Sequence, residues 1–568
     1  MNSTRLRFLL LSTCAVAAGC ASDAPRAAGP PNLDARIDGI FAEHARDDAP
    51  GAVVGVVRDG ELIFARSYGR ATLDHDVPLG PRSTFNLGST SKQFLALAAL
   101  MLARDGRLDL DADVRGLVPE LAPSEPPIRA RDLLLQTSGI RDLGTLDRMA
   151  GRRTKTMSDA LATLGRQRGL NFRPGTRHWY SHSEYLVLGV VVERAAGVPL
   201  ARHLEQTIFG PLGMMSTRVH DASQPPIPGR VIAYEEIAGA FRSRFPDDEL
   251  IGGANVFSSI EDLAKWERNF LTASVGGRDL IDTMVASPRD PAGKPIAYAY
   301  GLRHGKWRGL RTITRSSMGG GTPTEQMRFP DEKLAVYTLC SVDPSHPRLL
   351  SRAVAELFLG DRLGPTEVPA EPAPAPADEV ERYSGWYESE LGRWLPVRFL
   401  AKDGVLGEET TEGWYPMRRL GTGRYAGGDW LTYEFEESTG GPMRLTTRTE
   451  DGTEKLVRAT WTELWKPSTA DLASYAGLYY SDEIAALWRI SVEDGGLVLR
   501  RDACPGAPRL EALERDVFRG DIGGGGSHCS CGLEFERDAE GRVVAFAASA
   551  VPNPYEPALG VRFVRHIR

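Results

Sequence analysis

A short run of alternating proline and alanine divides the chain into two parts of different character. The run, Pro365 to Asp378 (PTEVPAEPAPAPAD), favours an extended, semi-rigid spacer over a packed element. Before it, apolar residues follow both helical and strand periodicities; beyond it they mostly alternate and are interrupted by glycine-rich turns. The sequence therefore predicts a mixed α and β domain over residues 33–363, a linker at 364–378 and an all-β region after it.

The all-β region carries an internal repeat. Glu381 to Tyr387 (ERYSGWY) is echoed by Leu472 to Tyr479 (LASYAGLY), and each copy continues into short strands and an Asp-Gly turn. Chance recurrence of Tyr-x-Gly in a glycine-rich sequence is the alternative. The shared order of turn and strand favours a true repeat of roughly 90–100 residues, enough for a small barrel or sandwich. Two barrel-like domains are thus expected, at 379–467 and 468–568.

The first twenty residues have the pattern of an export signal. Two arginines precede a short apolar stretch, Phe8 to Ala18, which is too short to span a bilayer. The segment ends in Ala-Ala-Gly-Cys20, which resembles a lipobox in which Cys20 becomes lipidated; ordinary cleavage after Ala17 is the alternative. The small and polar residues 21–32 then form a flexible tether. The expected location is the periplasm, with the protein either free or anchored to the outer membrane as a lipoprotein.

Charge and cysteine content exclude some classes of partner. The formal net charge is −7, so no basic surplus exists to neutralise nucleic-acid phosphates. In an oxidising compartment Cys504 can pair with Cys529 or Cys531. His528 and the two cysteines after it are open to a second interpretation as metal ligands, but their spacing fits no tetrahedral zinc pattern. No metal or cofactor is expected, and nothing in the sequence fixes an oligomeric state.

A Ser-x-x-Lys motif opens a strongly helical segment. Ser89 and Lys92 are separated by almost one helical turn, so their side chains lie on one face. At the first turn, unsatisfied backbone N–H groups and the helix dipole favour developing negative charge. A serine hydroxyl needs a neighbouring base to become a nucleophile, and a buried lysine beside a second proton acceptor meets that need. Alone, the motif is equally compatible with a helix cap and a surface lysine.

A second segment of the sequence favours the catalytic interpretation of the Ser-x-x-Lys motif. Pro174-Gly175 precedes Tyr180-Ser-His182, and an apolar helix then ends at Ala196-Gly197. This order, together with Leu133-Leu-Leu-Gln-Thr-Ser-Gly139 and the Gly-Gly and Ser-x-x-Asp-Leu elements of residues 252–263, resembles class C beta-lactamases and their relatives. These relatives include low-molecular-weight penicillin-binding proteins, esterases and D-aminopeptidases. The resemblance runs from about residue 33 to about residue 363.

The resemblance implies a fold and a mechanism. The fold is α+β: an antiparallel sheet with flanking helices, and an all-helical lobe that carries the nucleophile. Ser89 forms an acyl-enzyme, Lys92 relays its proton, and Tyr180 is the general base. Tyrosine has a free pKa of about 10 and acts as a base only where cations hold it as phenolate. The backbone N–H of Ser89 supplies half of the oxyanion hole.

Two positions depart from the family pattern. His182 stands where the family has an asparagine that bonds the lysine and the substrate amide; histidine is larger and titrates near neutral pH. The third motif, usually Lys-Thr-Gly or His-x-Gly, is placed at Arg315-Ser-Ser317. Arginine keeps a positive charge but cannot shuttle protons, and Ser317 puts a side chain where a glycine backbone normally lies against substrate. A register shifted by one or two residues is the alternative.

These features leave two classes of function open. The first is an acyl-serine hydrolase of a small ester or amide, with D-amino-acid peptides of the cell wall as candidates and beta-lactams less expected because both motifs are altered. The second is a non-catalytic envelope protein that binds peptidoglycan or a protein partner in a degenerate cleft.

The layout of one catalytic and two β domains is similar to that of D-aminopeptidases, in which a barrel loop narrows the cleft. The glycines at 523–526 are a candidate for such a loop, although four glycines more often form only a flexible hairpin tip. Four tryptophans at alternating strand positions predict barrel core, with a glycan-binding face as the alternative. They are Trp386, Trp394, Trp414 and Trp430.

Overall fold

The computed structural model describes residues 32–566, apart from a set of short segments. Those segments are 221–224, 245–249, 251, 290–295, 318–321, 366–371, 390–391, 411–412, 429–430, 439–440, 450–452, 460–462, 502–505, 524–528 and 552–556. The export signal with Cys20, and also Cys504, Trp430 and His528, therefore lie outside the described residues. In the part of the chain that is described, no helix is long and apolar enough to cross a membrane.

A seven-stranded antiparallel sheet forms the centre of the first domain. Its strand order is β10-β11-β12-β13-β14-β1-β2. Strand Ala52–Arg58 pairs with Leu334–Cys340, and both are almost continuously apolar because the sheet is covered on two faces. The strands of this domain are β1 (Ala52–Arg58), β2 (Glu61–Tyr68), β3 (Arg70–Thr72), β4 (Val77–Pro78), β5 (Phe85–Asn86), β6 (Arg218–Val219), β7 (Ala233–Ile237), β8 (Ala240–Arg244), β9 (Val256–Ser258), β10 (Tyr298–Ala299), β11 (Leu302–Trp307), β12 (Leu310–Ser317), β13 (Thr324–Phe329), β14 (Leu334–Cys340) and β15 (Val342–Asp343).

Helices cover both faces of the sheet. One face packs against the first and last helices of the domain, where Ile37, Phe41 and Val354 are fully buried. The other face packs against α8 and the lobe built from α2 to α7. The helices are α1 (Leu33–Ile40), α2 (Lys92–Arg104), α3 (Ala130–Leu135), α4 (Leu143–Ala150), α5 (Met157–Gly165), α6 (His182–Ala196), α7 (Leu200–Leu204), α8 (Ile260–Thr272), α9 (Gly277–Val285) and α10 (Pro347–Leu359). The predicted antiparallel sheet with flanking helices is confirmed.

A nearly closed β domain, here called barrel 1, follows the linker. After helix α11 (Ala377–Tyr383), nine strands run in the order β19-β18-β17-β16-β24-β23-β22-β21-β20. The two edge strands, β19 and β20, are consecutive in the chain, and Met417 is the single residue between them. The strands are β16 (Gly385–Ser389), β17 (Gly392–Lys402), β18 (Val405–Thr410), β19 (Gly413–Pro416), β20 (Arg418–Gly421), β21 (Arg424–Gly427), β22 (Leu431–Glu436), β23 (Arg444–Thr449) and β24 (Thr453–Arg458).

A closed eight-stranded barrel, here called barrel 2, ends the chain. Helix α12 (Thr469–Ala473) precedes eight strands that follow one another in chain order around the barrel. Aromatic side chains such as Tyr479, Trp488 and Phe563 fill its interior. The strands are β25 (Gly477–Ser481), β26 (Ala486–Glu493), β27 (Gly496–Arg501), β28 (Arg509–Glu514), β29 (Val517–Asp521), β30 (Ser530–Arg537), β31 (Val543–Val551) and β32 (Ala558–Arg565). The prediction of two β domains after the α+β domain is confirmed.

Candidate active site

Ser89 lies in a tight turn that continues into helix α2. Residues Gly88–Ser91 form one 3₁₀ turn, and Lys92 begins the α-helix without a break. Gly88 has a φ of +49°, and a Cβ atom at this position would lie 2.1 Å from the Ser317 hydroxyl oxygen. A glycine is therefore required both by the left-handed backbone and by the close approach of strand β12. The turn presents the Ser89 hydroxyl toward that strand.

Lys92 is fully buried directly beneath the serine. Its Nζ donates to the Ser89 hydroxyl at 3.2 Å and to the carbonyl of Gly253 at 3.0 Å. The Nδ1 atom of His182 lies 3.5 Å from the same nitrogen. An ammonium group on an apolar helix needs such acceptors, because an unpaired buried charge is strongly unfavourable. Gly253 belongs to the Gly-Gly segment of the sequence, but the sequence predicted no role for its carbonyl.

Tyr180 comes from a distant segment and meets both groups. Its hydroxyl lies 2.9 Å from the Ser89 hydroxyl and accepts a hydrogen bond from Arg315 Nη2 at 2.8 Å. The Lys92 ammonium lies 5.3 Å from the centre of the Tyr180 ring, and the Arg315 guanidinium lies 5.2 Å from it. Two cations next to one phenol favour its anionic form. The structure thus brings Ser89, Lys92, Tyr180 and Arg315 together in one cluster.

Two buried polar residues hold the Tyr180 segment in place. The main-chain carbonyl of Gln136 accepts a hydrogen bond from the backbone N–H of Trp179 at 3.0 Å. Its side-chain oxygen accepts one from the backbone N–H of Ser181 at 2.6 Å. The carboxylate of Asp142 accepts the backbone N–H of His182 at 2.9 Å, at the first residue of helix α6. An acidic group at a helix N-terminus is favourable. The sequence pattern indicated no role for either residue, although Gln136 lies in a stretch that resembles the family.

The His182 side chain stands between the lysine and the tyrosine. Its ring is half-buried and packs edge-on against the Tyr180 ring, with centroids 5.2 Å apart. In the tautomer with Nδ1 unprotonated, this nitrogen faces the Lys92 ammonium as an acceptor. A histidine at this position can therefore take over the lysine contact expected of an asparagine.

Strand β12 brings the third-motif residues to the serine. Arg315 is buried, and its Nε donates to the backbone carbonyl of Ser89 at 3.1 Å. Ser317 is also buried and lies against Gly88. Ser316 points to the opposite face of the sheet, where its hydroxyl donates to Glu325, because side chains alternate along a strand. The structure thus brings Arg315 and Ser317, and not Ser316, to the site.

A buried carboxyl supports the wall of the site behind helix α6. Glu184 is fully buried and accepts both the backbone N–H of Ser138 at 3.0 Å and the Ser138 hydroxyl. Burial raises the pKa of the Glu184 carboxyl well above its usual range. Through its contacts with Ser138, Glu184 ties the Ser138 segment to helix α6, which begins two residues after Tyr180.

The remaining sequence predictions fall on other parts of the molecule. Cys529 and Cys531 are buried thiols in barrel 2, and burial raises the pKa of Cys529 to about 12. Their predicted pairing with Cys504 stays a prediction, since Cys504 lies outside the described residues. Over the described segments, no cluster of three or more His, Cys, Asp or Glu side chains could hold a metal ion. Trp386 is buried against barrel 2, and Trp414 is half-buried.

Comparisons with known proteins agree with this geometry. The family model for beta-lactamases matches residues 37–360. A D-aminopeptidase from Cereibacter sphaeroides is 28% identical over 475 residues, which cover 82% of this chain and 86% of that protein. A D-aminopeptidase from Gluconobacter oxydans is 25% identical over 501 residues, with 85% and 90% covered. These matches extend beyond the first domain into the two β domains.

A solved structure shares the complete layout. The octameric penicillin-binding protein homologue from Pyrococcus abyssi aligns with 94% of this chain and 99% of its own, with a TM-score of 0.51 and 18% identity. At this identity the likeness concerns the fold alone. Together with the sequence relatives, it confirms the resemblance inferred from the motifs, including the arrangement of one catalytic and two β domains.

Proposed function

The chain belongs to the beta-lactamase family of serine hydrolases, and we propose that it cleaves a small amide or peptide through an acyl-enzyme on Ser89. The observation that carries the proposal is the position of the Ser89 hydroxyl, 2.9 Å from the Tyr180 hydroxyl and 3.2 Å from the Lys92 ammonium. A nucleophile in direct contact with a base and a proton relay is the arrangement that acyl transfer requires.

The first half of the reaction acylates the serine. The Tyr180 phenolate takes the proton of Ser89, whose oxygen attacks the substrate carbonyl carbon to give a tetrahedral intermediate. The backbone N–H of Ser89 stabilises the new oxyanion. As the intermediate collapses, the C–N bond breaks and Tyr180 returns the proton to the leaving amine. Arg315 and Lys92 favour the anionic form of Tyr180 before the first transfer and after the second.

The second half of the reaction removes the acyl group. Tyr180 takes a proton from water, and the resulting hydroxide attacks the ester carbonyl. Breakage of the ester C–O bond returns the proton to Ser89 and releases the carboxylic acid. His182 holds Lys92 in place through both halves, since its Nδ1 lies 3.5 Å from the ammonium.

The substrate class follows from the relatives rather than from the cleft. Relatives that align over four-fifths or more of this chain, including the β domains, are named D-aminopeptidases. Amides and short peptides of D-amino acids are therefore the first substrates to test. Beta-lactams are expected to react more slowly, because His182 and Arg315 stand in place of the family's asparagine and third-motif lysine.

Two measurements test the proposal. Intact-mass analysis after treatment with a fluorophosphonate should show one adduct that maps to Ser89, and Ser89→Ala should show none. A panel of p-nitroanilides of D- and L-amino acids, p-nitrophenyl esters and nitrocefin should give turnover that the same variant abolishes. Absence of both adduct and turnover at high reagent excess would instead favour the non-catalytic binder, for which the altered second and third motifs are the supporting observation.

A further inference from the structure

We infer that barrel 2 is a positioning element of the active site, and that Glu483 acts on the Tyr180 segment through Arg141 and Asp142. The inference rests on the proposed function, because it concerns the same catalytic residues. It assigns Glu483, which is remote from the reacting atoms, a role in keeping Tyr180 within reach of Ser89.

Glu483 forms a buried ion pair across the boundary between the two domains. Its carboxylate accepts from Arg141 Nη1 at 2.5 Å, and the two side chains are only 2% and 5% exposed. The same carboxylate accepts the backbone N–H of Arg168 at 2.9 Å and that of Arg562 at 2.9 Å. Every oxygen of the carboxylate is therefore used, as a buried charge requires. Removal of this charge leaves the Arg141 guanidinium buried without its counterion.

The residue after Arg141 contacts the catalytic segment directly. Asp142 is fully buried, and its carboxylate accepts the backbone N–H of His182 at 2.9 Å and the Ser181 hydroxyl at 3.4 Å. Its own backbone N–H donates to the carbonyl of Pro557 in barrel 2 at 3.2 Å. Asp142 thus lies between barrel 2 on one side and the two residues that follow Tyr180 on the other.

A second set of contacts, made by Asn171, connects the same region to barrel 2. Asn171 donates through Nδ2 to the Pro557 carbonyl at 2.8 Å and accepts the backbone N–H of Leu559 at 2.9 Å. Its backbone N–H donates to the carbonyl of Gly139 at 2.7 Å. Barrel 2 therefore holds the segment 167–171 and, directly and through Asn171, the segment 139–142, whose Asp142 contacts the residues after Tyr180.

The expected consequence is a change in turnover rather than in binding. Misplacement of a reacting group by about 1 Å can cost about 100-fold in rate. Glu483 does not line the cluster around Ser89, so its loss should leave substrate affinity almost unchanged. A residue needed only for stability would instead lower the amount of folded protein and leave the turnover number of the folded fraction intact.

The test compares two matched carboxylates in the full-length chain. Glu483→Gln keeps the shape of the side chain and removes its charge. Glu379→Gln does the same in barrel 1, where Glu379 pairs with Arg419 at 2.5 Å within its own domain. With rates normalised to Ser89 titrated by fluorophosphonate, we expect Glu483→Gln to lower kcat about 10- to 100-fold with KM within about 3-fold. Glu379→Gln should change neither. Combining Glu483→Gln with Arg141→Gln removes the orphaned charge and should recover part of kcat.

Hydrogen exchange provides a readout that does not depend on activity. The His182 amide donates to Asp142, so its exchange should accelerate in Glu483→Gln and not in Glu379→Gln. Unchanged kcat and exchange in Glu483→Gln, or equal losses in both variants, would overturn the inference. A wild-type chain without adduct or turnover would overturn the proposed function alone, since the exchange comparison still tests the link from barrel 2 to His182.

Discussion

The first strands of the two barrels are held by the same side-chain hydrogen bonds, but the two barrels pack differently against the catalytic domain. In barrel 1 the Tyr387 hydroxyl donates to the carbonyl of Tyr383 at 3.0 Å; in barrel 2 the Tyr479 hydroxyl donates to that of Tyr475 at 2.8 Å. In each barrel an arginine of the last strand donates to the carbonyl just before the first strand: Arg458 to Ser384, and Arg565 to Ala476. The repeat seen in the sequence is therefore also a repeat of side-chain contacts.

The two barrels differ in whether their apolar cores are joined to that of the catalytic domain. The interior of barrel 2 is continuous with the apolar core of the catalytic domain, and its Trp488 donates to the carbonyl of Met149 at 2.9 Å. Barrel 1 has an apolar core of its own, built around Tyr387, Phe399 and Leu445. One copy of the repeat thus became part of the enzyme's core, whereas the other kept a separate core. Substitutions at matched positions should expose this difference.

The largest expected effect is that of core truncation in the two barrels. Trp488→Ala and Phe399→Ala should each cost about 3–5 kcal/mol of unfolding free energy, because both side chains are fully buried. Only Trp488→Ala should also lower kcat of the folded fraction, since only Trp488 contacts the catalytic domain. Urea unfolding and active-site titration measure the two quantities. Equal losses of kcat in the two variants would remove the functional contrast between the barrels.

The glycine that begins the first strand of each barrel gives the next largest effect. A Cβ at Gly385 would lie 3.0 Å from Arg458 Nε, and one at Gly477 would lie 2.9 Å from Arg565 Nε. Gly385 also has a φ of +139°, which L-residues rarely adopt. Gly385→Ala should therefore destabilise by about 2–3 kcal/mol and Gly477→Ala by about 1 kcal/mol. Thermal unfolding checks the order, and the reverse order would show that crowding of the arginine outweighs backbone strain.

A smaller effect is expected from the paired tyrosine hydroxyls. Tyr387→Phe and Tyr479→Phe each remove one hydrogen bond to a buried carbonyl, so each should cost about 1 kcal/mol. Here the two barrels should behave alike, because the contact is the same in both. A difference much larger than the error of the unfolding measurement would mean that the repeat no longer serves one structural role.

The smallest effect, at least near pH 4, is expected at a position where the barrels differ. Barrel 1 has Glu408 where barrel 2 has the buried Leu499, and the Tyr433 hydroxyl donates to this carboxyl. Burial raises the pKa of Glu408, so the folded state binds more protons and its stability falls as pH rises above the unfolded pKa. Glu408→Gln should therefore have little effect at pH 4, below the ordinary glutamate pKa of about 4.3, and a growing stabilising effect as the pH rises from there toward neutrality, measured by urea unfolding. A flat difference across this range would contradict the assigned cause.

Local patterns were enough to predict much of the molecule. The mixed α and β character of the first domain and the β region after the linker were predictable, because strand alternation and helical periodicity are short-range properties of the sequence. The antiparallel sheet with its flanking helices followed from the resemblance. Ser89 and Lys92 share one helical turn, so their proximity also followed from spacing. Tyr180 could be assigned only through the resemblance, since no local rule brings residue 180 to residue 89.

The supporting residues depend on contacts between distant segments, which a single sequence does not reveal. Nothing in the pattern around Asp142 indicates that its carboxylate caps helix α6 while its backbone meets barrel 2. Glu483 similarly reads as an ordinary charged residue at a strand end. The alternation that predicts a barrel also does not indicate whether the outer face of that barrel contacts water or a neighbouring domain.

The close approach of Gly88 to Ser317 restricts the order in which these two positions can evolve. While a serine occupies 317, an alanine at 88 has no room, since its Cβ would lie 2.1 Å from the hydroxyl oxygen. A glycine at 317 removes that hydroxyl and is open as a first step. Residue 317 can therefore change while residue 88 stays glycine, whereas residue 88 cannot change first, and its φ of +49° favours glycine even after the hydroxyl is gone.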